Sequence, residues 1–510
     1  MNETSRTNNV LLNSVTGAMT QASKILLSFL VRFFFIRYLS QEYLGVSGLF
    51  SNILTILSLA ELGVGGAIEY SLYKPVAQRD YRTIAALISM YRKTYLVIGC
   101  VIGGVGLLLI PLLPVLIRDA EAIQDIPLIY ALYLLITIVS YFSAHKRSIF
   151  VADQRERVLS RYKLLFIFLM SAAQCAILVF TRNFLLYLIV QLICTIGENV
   201  YVSIRADREY PFLKEHRDAR LPAQETKAIF QNVKSLMIYK VGSTALDGSD
   251  NIILSAFEGL AWVGRLSNYT LILSSVNTLV TQFIMALSAS VGNFIAKESV
   301  EKREGLLRKS TFYAFCLFGS TSVCLFCLSS PFIRLVFGAD YILETASVLV
   351  LALNYYIFGM LNPVWTFRST MGLFAYGKYR PLVSAVVNIV VSILLARLIG
   401  PVGVLLGTTI TRLTTKVWYD PYIVYRYGMH ASPIRFYGLW VKYLVITAVS
   451  AAVSLWVIQN VLPAPSSILI LILHGFSCLA VFGLILVLTC FHSEEFRYVF
   501  TKARSILLHK

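Results

Sequence analysis

Long apolar stretches separated by short polar segments run along almost the whole chain. A helix needs about 20 mostly apolar residues to cross a bilayer, and fourteen stretches approach that length, although several contain polar residues. They lie near residues 11–38, 44–70, 94–117, 127–149, 163–181, 184–204, 233–257, 264–296, 310–337, 342–367, 381–399, 401–424, 438–461 and 467–491. The pattern predicts an all-α polytopic membrane protein with about 14 transmembrane helices.

Composition and charge agree with this prediction. Only 14% of the 510 residues are charged, against about 25% in soluble proteins. Most of the 45 lysines and arginines fall on one side of the predicted membrane, and each outer turn carries at most one. The positive-inside rule therefore predicts that both termini are cytoplasmic. The net charge of +18 then reflects topology and attraction to membrane lipids, so no nucleic acid partner is expected.

A short internal repeat suggests how the helices are grouped. Tyr43-Leu-Gly45 followed by Ser51-Asn52 returns in the second half as Trp262-Val-Gly264 followed by Ser267-Asn268. Both copies begin on the same predicted side of the membrane, as expected for a parallel repeat. We predict two pseudo-symmetric six-helix lobes around a central cavity, plus two C-terminal helices. The boundaries are an N-lobe at 1–204, a basic cytoplasmic inter-lobe loop at 205–234, a C-lobe at 235–425, and helices 13 and 14 with a basic tail at 426–510.

Charged side chains inside predicted spans indicate the candidate site, because each is costly in the bilayer. Lys24 and Arg32 lie about 80° apart on one face of the first helix. The seventh helix carries Lys240, Asp247 and Asp250 on a polar stripe. We expect the basic face of helix 1 to confront the acidic stripe of helix 7 across the cavity. Two roles remain open for these groups, substrate binding and an ion pair that locks the lobes together.

The second helix carries a further candidate. Glu61-Leu-Gly-Val-Gly65-Gly66 lies near its inner end and predicts a bend, and Glu61 is a candidate proton or cation site. Asn362-Pro363 predicts a kink in the tenth helix. Cys324-Leu-Phe-Cys327 has the spacing of a redox or zinc motif, but the absence of a nearby histidine favours small buried side chains. The sequence predicts no catalytic residues, no metal site and no cofactor, and it contains no phosphate-binding loop that could support its own ATP hydrolysis.

Three segments resemble the polysaccharide transporter family, the Wzx-type flippases of the MATE-like MOP exporter superfamily. They are Tyr43–Gly45 through Glu61–Ala67 to Tyr73–Pro75, then Asp250–Ser255 with Ser267–Tyr269, and finally Gly400–Thr408. The resemblance implies a non-enzymatic flippase of the bacterial cytoplasmic (inner) membrane that works by alternating access. Its cargo would be oligosaccharide repeat units linked to undecaprenyl pyrophosphate, exported for capsule, exopolysaccharide or O-antigen synthesis. Polysaccharide polymerase machinery is the implied protein partner.

Members of this family commonly have a cationic cavity, which Lys24, Arg32 and Lys240 would supply here. Asp247, Asp250 and Glu61 are candidates for ion coupling or for a gate between the lobes. Two other exporters of the superfamily stay open as alternatives: a flippase for lipid II, the peptidoglycan precursor, and a cation-coupled multidrug exporter. The second usually has twelve spans and a carboxylate-lined cavity, which the basic groups of helix 1 do not favour. Short outer loops disfavour a membrane glycosyltransferase.

Overall fold

The chain is built from helices, and no strand occurs in the part that the structure describes. This computed structural model describes residues 3–58, 61, 64–118, 123, 125–216, 218–297, 300–373 and 376–507, with the side chains at 3–16, 18, 67, 156, 228, 231–236, 238–241, 243, 245–247, 285–297 and 502–507 outside the description. The α-helices are α1 Glu3–Tyr38, α2 Gln41–Leu57, α3 Val64–Gln78, α4 Tyr81–Leu109, α5 Leu113–Leu116, α6 Ile126–Tyr141, α7 Ala144–Ala152, α8 Glu156–Phe180, α9 Phe184–Glu209, α10 Phe212–Glu215, α11 Ala223–Glu258, α12 Leu260–Lys297, α13 Val300–Val336, α14 Thr345–Met360, α15 Asn362–Thr370, α16 Arg380–Ile399, α17 Pro401–Arg412, α18 Tyr419–Ile423, α19 Ile434–Asn460, α20 Ile468–Cys490 and α21 Glu494–Leu507.

These helices form an all-α polytopic membrane fold. Within the described residues, nine helical segments are long and apolar enough to cross a bilayer, and the pair α6 and α7, bent by 42°, makes a tenth. The remaining predicted spans are broken or carry polar residues, which lowers their hydropathy below that of an uninterrupted span. The count of fourteen and the side on which each terminus lies stay predictions.

Helices extend beyond the apolar stretches that predicted them. Helix α11 begins at Ala223, so the second half of the segment expected as a loop at 205–234 is helical. Helix α13 begins at Val300 rather than near residue 310. The reason is that hydropathy indicates only where a helix leaves the hydrocarbon. Glu, Lys and Arg have high helix propensity, so the helix can continue into water.

Two predicted irregularities are confirmed. The second span is divided, since α2 ends at Leu57 and α3 begins at Val64, around the glycine-rich segment. In the tenth span α14 ends at Met360 and α15 begins at Asn362, with Pro363 at its start. Proline fits the first helical turn, where its missing N–H has no partner to lose.

The contacts divide the chain into two compact units, Met1–Gly264 and Arg265–Lys510; the predicted lobe boundaries stay predictions. In the first unit, α1 packs along α8, α2 packs against α6 and α11, and α3 packs against α4 and α7. In the second unit, α13 is central and contacts α14, α19 and α20. Its core contains the rings of Phe315 and Tyr443, stacked with centroids 4.4 Å apart.

The two repeat glycines meet at a backbone-to-backbone contact in the first unit. A Cβ added to Gly45 would lie 2.7 Å from the carbonyl carbon of Leu260 and would overlap the carbonyl oxygen. A Cβ added to Gly264 would lie 3.2 Å from the backbone nitrogen of Gly45 and would overlap the Gln41 carbonyl oxygen. Only glycine permits this approach, so the beginnings of α2 and α12 touch at the predicted outer side.

A third glycine brings α11 close to α2. A Cβ added to Gly248 of α11 would lie 3.1 Å from the Ile56 side chain of α2. Helix α11 is continuous through this glycine, which provides the space for a close helix crossing.

The second unit contains a buried charge cluster that the sequence did not indicate. The Asp420 carboxylate pairs with the guanidinium groups of Arg368 and Arg380, and Arg380 Nη1 lies 2.7 Å from Asp420 Oδ2. All three side chains are buried, with Arg368 only 1% exposed. Asp420 lies in α18, between two π-helical segments, Leu413–Val417 and Val424–Met429.

Candidate functional site

Two of the three predicted cavity cations, Lys24 and Arg32, lie on α1 and have different surroundings. Lys24 is exposed, and Arg32 is half-buried, about 12 Å further along the helix at 1.5 Å per residue. The charge of Arg32 acts on the hydroxyls of Tyr133 on α6 and Tyr187 on α9. Arg32 therefore faces the other helices of its unit rather than bulk lipid.

The hydroxyl groups of the two tyrosines near Arg32 lie in the interior of the unit. Protein atoms surround both hydroxyls, yet the Tyr133 and Tyr187 side chains keep partial exposure. The Tyr133 hydroxyl donates to Ser47 Oγ at 2.9 Å. Hydroxyl groups and a guanidinium group on one internal surface are suited to phosphate and sugar oxygens.

Helix α2 presents a polar exposed face in the same unit. Its exposed residues are Ser51 and Thr55, one turn apart, whereas exposed positions on α9 are apolar, as at Ile193 and Val200. In a membrane protein, polar exposed positions border water and apolar ones border lipid. We therefore expect this face of α2 to line a water-filled space.

Glu61 lies at the break between α2 and α3 and is bound by tyrosine. The Tyr95 hydroxyl donates to Glu61 Oε1 at 3.0 Å, and the Tyr91 hydroxyl lies 3.3 Å from that of Tyr95. Tyr141 donates to Ser58 Oγ at 2.7 Å, at the end of α2. At this break between the two helices, the Glu61 carboxylate therefore lies beside a cluster of tyrosine hydroxyls.

A cavity of about 320 Å³ opens beside this carboxylate. Glu61, Glu69, Tyr91 and Tyr95 line it, together with Arg147, whose guanidinium group pairs with Glu198 at 2.8 Å. Gly65 forms part of the wall, and its missing side chain leaves room for the two tyrosine hydroxyls, which lie 3.1 and 3.2 Å from where a Cβ would be. The arrangement can hold a proton on a carboxyl group or a small cation between carboxylate and phenol oxygens.

The acidic stripe of the seventh helix is described only in part. The Lys240 and Asp247 side chains lie outside the described residues, although both positions fall within α11. Asp250 is partly exposed. The expected confrontation between this stripe and the basic face of helix 1 therefore stays a prediction, as do the binding roles of Lys24 and Arg32.

Sequence reasoning missed the tyrosines. Tyr95 and Tyr141 lie inside the predicted apolar stretches 94–117 and 127–149, and Tyr91 lies just before the first of these, next to Arg92. Their spacing gave one signal, because Tyr91 and Tyr95 are four residues apart and so share a helix face. The packing of α3 against α4 determines which face of α4 meets Glu61. A single sequence does not contain that packing.

Solved structures with a similar architecture are membrane transporters. The lipid II flippase MurJ in an inward closed conformation superimposes with a TM-score of 0.64 over 94% of this chain and 100% of its own, at 15% identity. An inward-facing multidrug resistance MATE family transporter of the MOP superfamily gives a TM-score of 0.56 over 80% of this chain and 98% of its own, at 14% identity. A MATE transporter in complex with MaD5 gives 0.51 over 81% of this chain and 95% of its own, at 14% identity.

The chain has the fold of these transporters. No protein-family model matches the sequence, and no curated protein matches it. At 14–15% identity the similarity shows the fold alone. In the described part of the chain, no group of three or more His, Cys, Asp or Glu side chains is arranged to hold a metal ion.

Proposed function

We propose that this protein is a flippase that moves undecaprenyl-pyrophosphate-linked oligosaccharide units across the bacterial cytoplasmic membrane. The observation that carries the proposal is Arg32, a half-buried guanidinium group on α1 that faces Tyr133 and Tyr187 in the interior of its unit. A guanidinium group gives paired, charge-assisted hydrogen bonds to phosphate oxygens, so it is suited to a pyrophosphate. Tyrosine and serine hydroxyls suit the attached sugars.

The physics of the cargo explains why a protein with this fold is needed. A pyrophosphate with attached sugars cannot cross about 30 Å of hydrocarbon unaided. In the proposed mechanism Arg32 and Lys24 compensate the charge of the pyrophosphate while the prenyl tail stays in lipid. Few cations suffice, since cargo that binds too tightly is not released.

The glycine contact supports alternating access. In the proposed cycle, the close approach of α2 and α12 at Gly45 and Gly264 is the contact that closes the outer side. In the proposed cycle the cargo enters from the cytoplasmic side in this state, and separation of the two helix beginnings then releases it outward. The carboxylate of Glu61, held at the helix break by Tyr95, is the proposed site at which a proton or cation biases this equilibrium.

A lipid II flippase is the second candidate. Its support is the extent of the structural similarity, since the MurJ alignment spans the whole of that chain and 94% of this one. The multidrug MATE transporter leaves a fifth of this chain unmatched. Lipid II is itself a prenyl-pyrophosphate carrying sugars, so the same cationic surface would serve it.

Lipid extraction from cells depleted of this protein tests the proposal. Finished repeat units on undecaprenyl pyrophosphate should accumulate and remain shielded from externally added glycosidase. Accumulation of lipid II with cell lysis would instead identify the protein as a flippase for this cell-wall precursor. Absence of any accumulated lipid-linked sugar, combined with new sensitivity to cationic dyes, would refute the proposal in favour of drug export.

A further inference from the structure

A second cavity in the first unit has a positively charged lining. It measures about 300 Å³ and lies between α4, the junction of α6 and α7, and α9. Its polar lining comes from Arg92, His145 and Lys146, and its apolar lining includes Leu96 and Phe142. We call it the α4–α9 groove. It is separate from the cavity beside Glu61, although Tyr95 contributes to the walls of both.

The groove has an excess of positive charge. Lys146 pairs with Asp207 at 2.7 Å, and the same carboxylate is also bound by Lys214 at 3.3 Å. Arg92 makes no hydrogen bond or ion pair with any other residue that the structure describes, and its charge acts with that of Lys146 on the His145 ring. None of the described lining residues is acidic. The Arg92 side chain is exposed, and none of the described lining residues supplies it with a counter-charge.

The position of the groove indicates where the counter-charge comes from. Leu96 and Phe142 in its lining are 40% and 51% exposed. Along α4 the exposed side chains continue as Val97 and Val101, and along α9 as Val200. Apolar exposed side chains on these helices face hydrocarbon. The groove thus lies where this lipid-facing surface ends, at the level of the phosphate groups on the predicted cytoplasmic side.

We propose that the α4–α9 groove binds the phosphate of an anionic glycerophospholipid from the inner leaflet. Arg92 supplies charge-assisted hydrogen bonds to the phosphodiester oxygens, and Lys146 adds its charge from the opposite wall. The acyl chains lie along the exposed apolar side chains of α4 and α9. Basic grooves between transmembrane helices on the cytoplasmic side are suited to such headgroups. The site does not depend on the cargo that the protein transports.

Native mass spectrometry of the full-length protein in detergent, with phosphatidylglycerol or phosphatidylcholine added, tests this proposal. The informative variant is Arg92→Gln, and its matched control is Lys93→Gln, which removes the same charge from the next residue, exposed and outside the groove. Wild-type protein and Lys93→Gln should retain one phosphatidylglycerol under activation that removes phosphatidylcholine. Arg92→Gln should reduce that occupancy about tenfold, as expected for the loss of a charge-assisted contact. Equal thermal unfolding of the three proteins without added lipid establishes that each is folded.

Three results would overturn the proposal. Unchanged retention in Arg92→Gln would show that this guanidinium group does not hold the headgroup. An equal loss in Lys93→Gln would indicate diffuse surface charge rather than a site. Displacement of phosphatidylglycerol by excess inorganic phosphate, with phosphate itself retained, would identify a soluble phosphate rather than a lipid as the ligand.

Discussion

Replacing Gly45 by alanine should open the outer ends of α2 and α12. The new Cβ would lie 2.7 Å from the Leu260 carbonyl carbon, whereas carbon atoms in contact are about 3.5–4.0 Å apart. The two backbones must therefore separate by about 1 Å, because the Leu260 atoms that the new Cβ meets are backbone atoms and cannot rotate away as a side chain could. Overpacking of this kind costs about 1–3 kcal/mol, which corresponds to a shift of roughly 5- to 150-fold against the closed arrangement.

Labelling from outside the cell measures this shift. Ser51 is an exposed position on α2 beyond the glycine contact. A cysteine placed there reports whether a membrane-impermeant maleimide reaches the space that this face of α2 is expected to line. The signal is the labelling gained over the same protein without the added cysteine. Gly45→Ala should raise the labelling rate at least fivefold. The matched control is Gly104→Ala, which places a Cβ in open space on α4 and should leave the rate unchanged.

This reasoning would be refuted if both alanine variants were labelled at the wild-type rate while remaining folded. The glycine contact would then be a packing detail that does not limit access from outside. If Gly45→Ala simply failed to accumulate, Gly264→Ala would repeat the test from the opposite helix, since its Cβ would overlap the Gln41 carbonyl.

Three further predictions concern other contacts. Tyr95→Phe removes the hydroxyl that donates to Glu61 and should shift the pH profile of transport with little change in melting temperature; an unchanged profile would argue against a coupling role. Asp420→Asn leaves two buried guanidinium groups uncompensated and should lower the unfolding free energy by about 3–5 kcal/mol; wild-type melting would contradict this. A hydrogen bond from Lys309 lowers the pKa of Glu494. The stabilisation that this hydrogen bond gives is therefore present above the ordinary carboxyl pKa, and it is lost as the pH falls through the lowered pKa of Glu494. Acidification should therefore reduce the melting temperature more in the wild type than in Lys309→Gln, and parallel curves would exclude this contribution.

The sequence was sufficient for the features that depend on local chemistry. The all-α membrane fold followed from apolar stretches of spanning length, and the break near Glu61 and the kink before Pro363 followed from glycine and proline. The internal repeat also directed attention to Gly45 and Gly264, although their direct contact became visible only in three dimensions. Local composition limits backbone conformation, so such features can be read from one chain.

Other features depend on how helices pack and were not accessible. Nothing near Asp420 in the sequence indicates that Arg368 and Arg380 converge on it from separate helices. For the same reason, the sequence did not show that the Tyr95 hydroxyl donates to Glu61. Helix ends such as Ala223 were misjudged because apolar length reports the thickness of the membrane and not the length of the helix.

Flipping by the purified protein in vesicles tests the central claim most directly. Undecaprenyl-pyrophosphate oligosaccharide is placed in the inner leaflet, and the fraction reached by externally added glycosidase is followed with and without proton or sodium gradients. The account predicts exposure with wild-type protein and with Arg37→Gln, which removes an exposed cation from the same helix, and at least a tenfold loss with folded Arg32→Gln. Exposure no faster than in protein-free vesicles under every gradient, or equal rates for Arg32→Gln and Arg37→Gln, would contradict it.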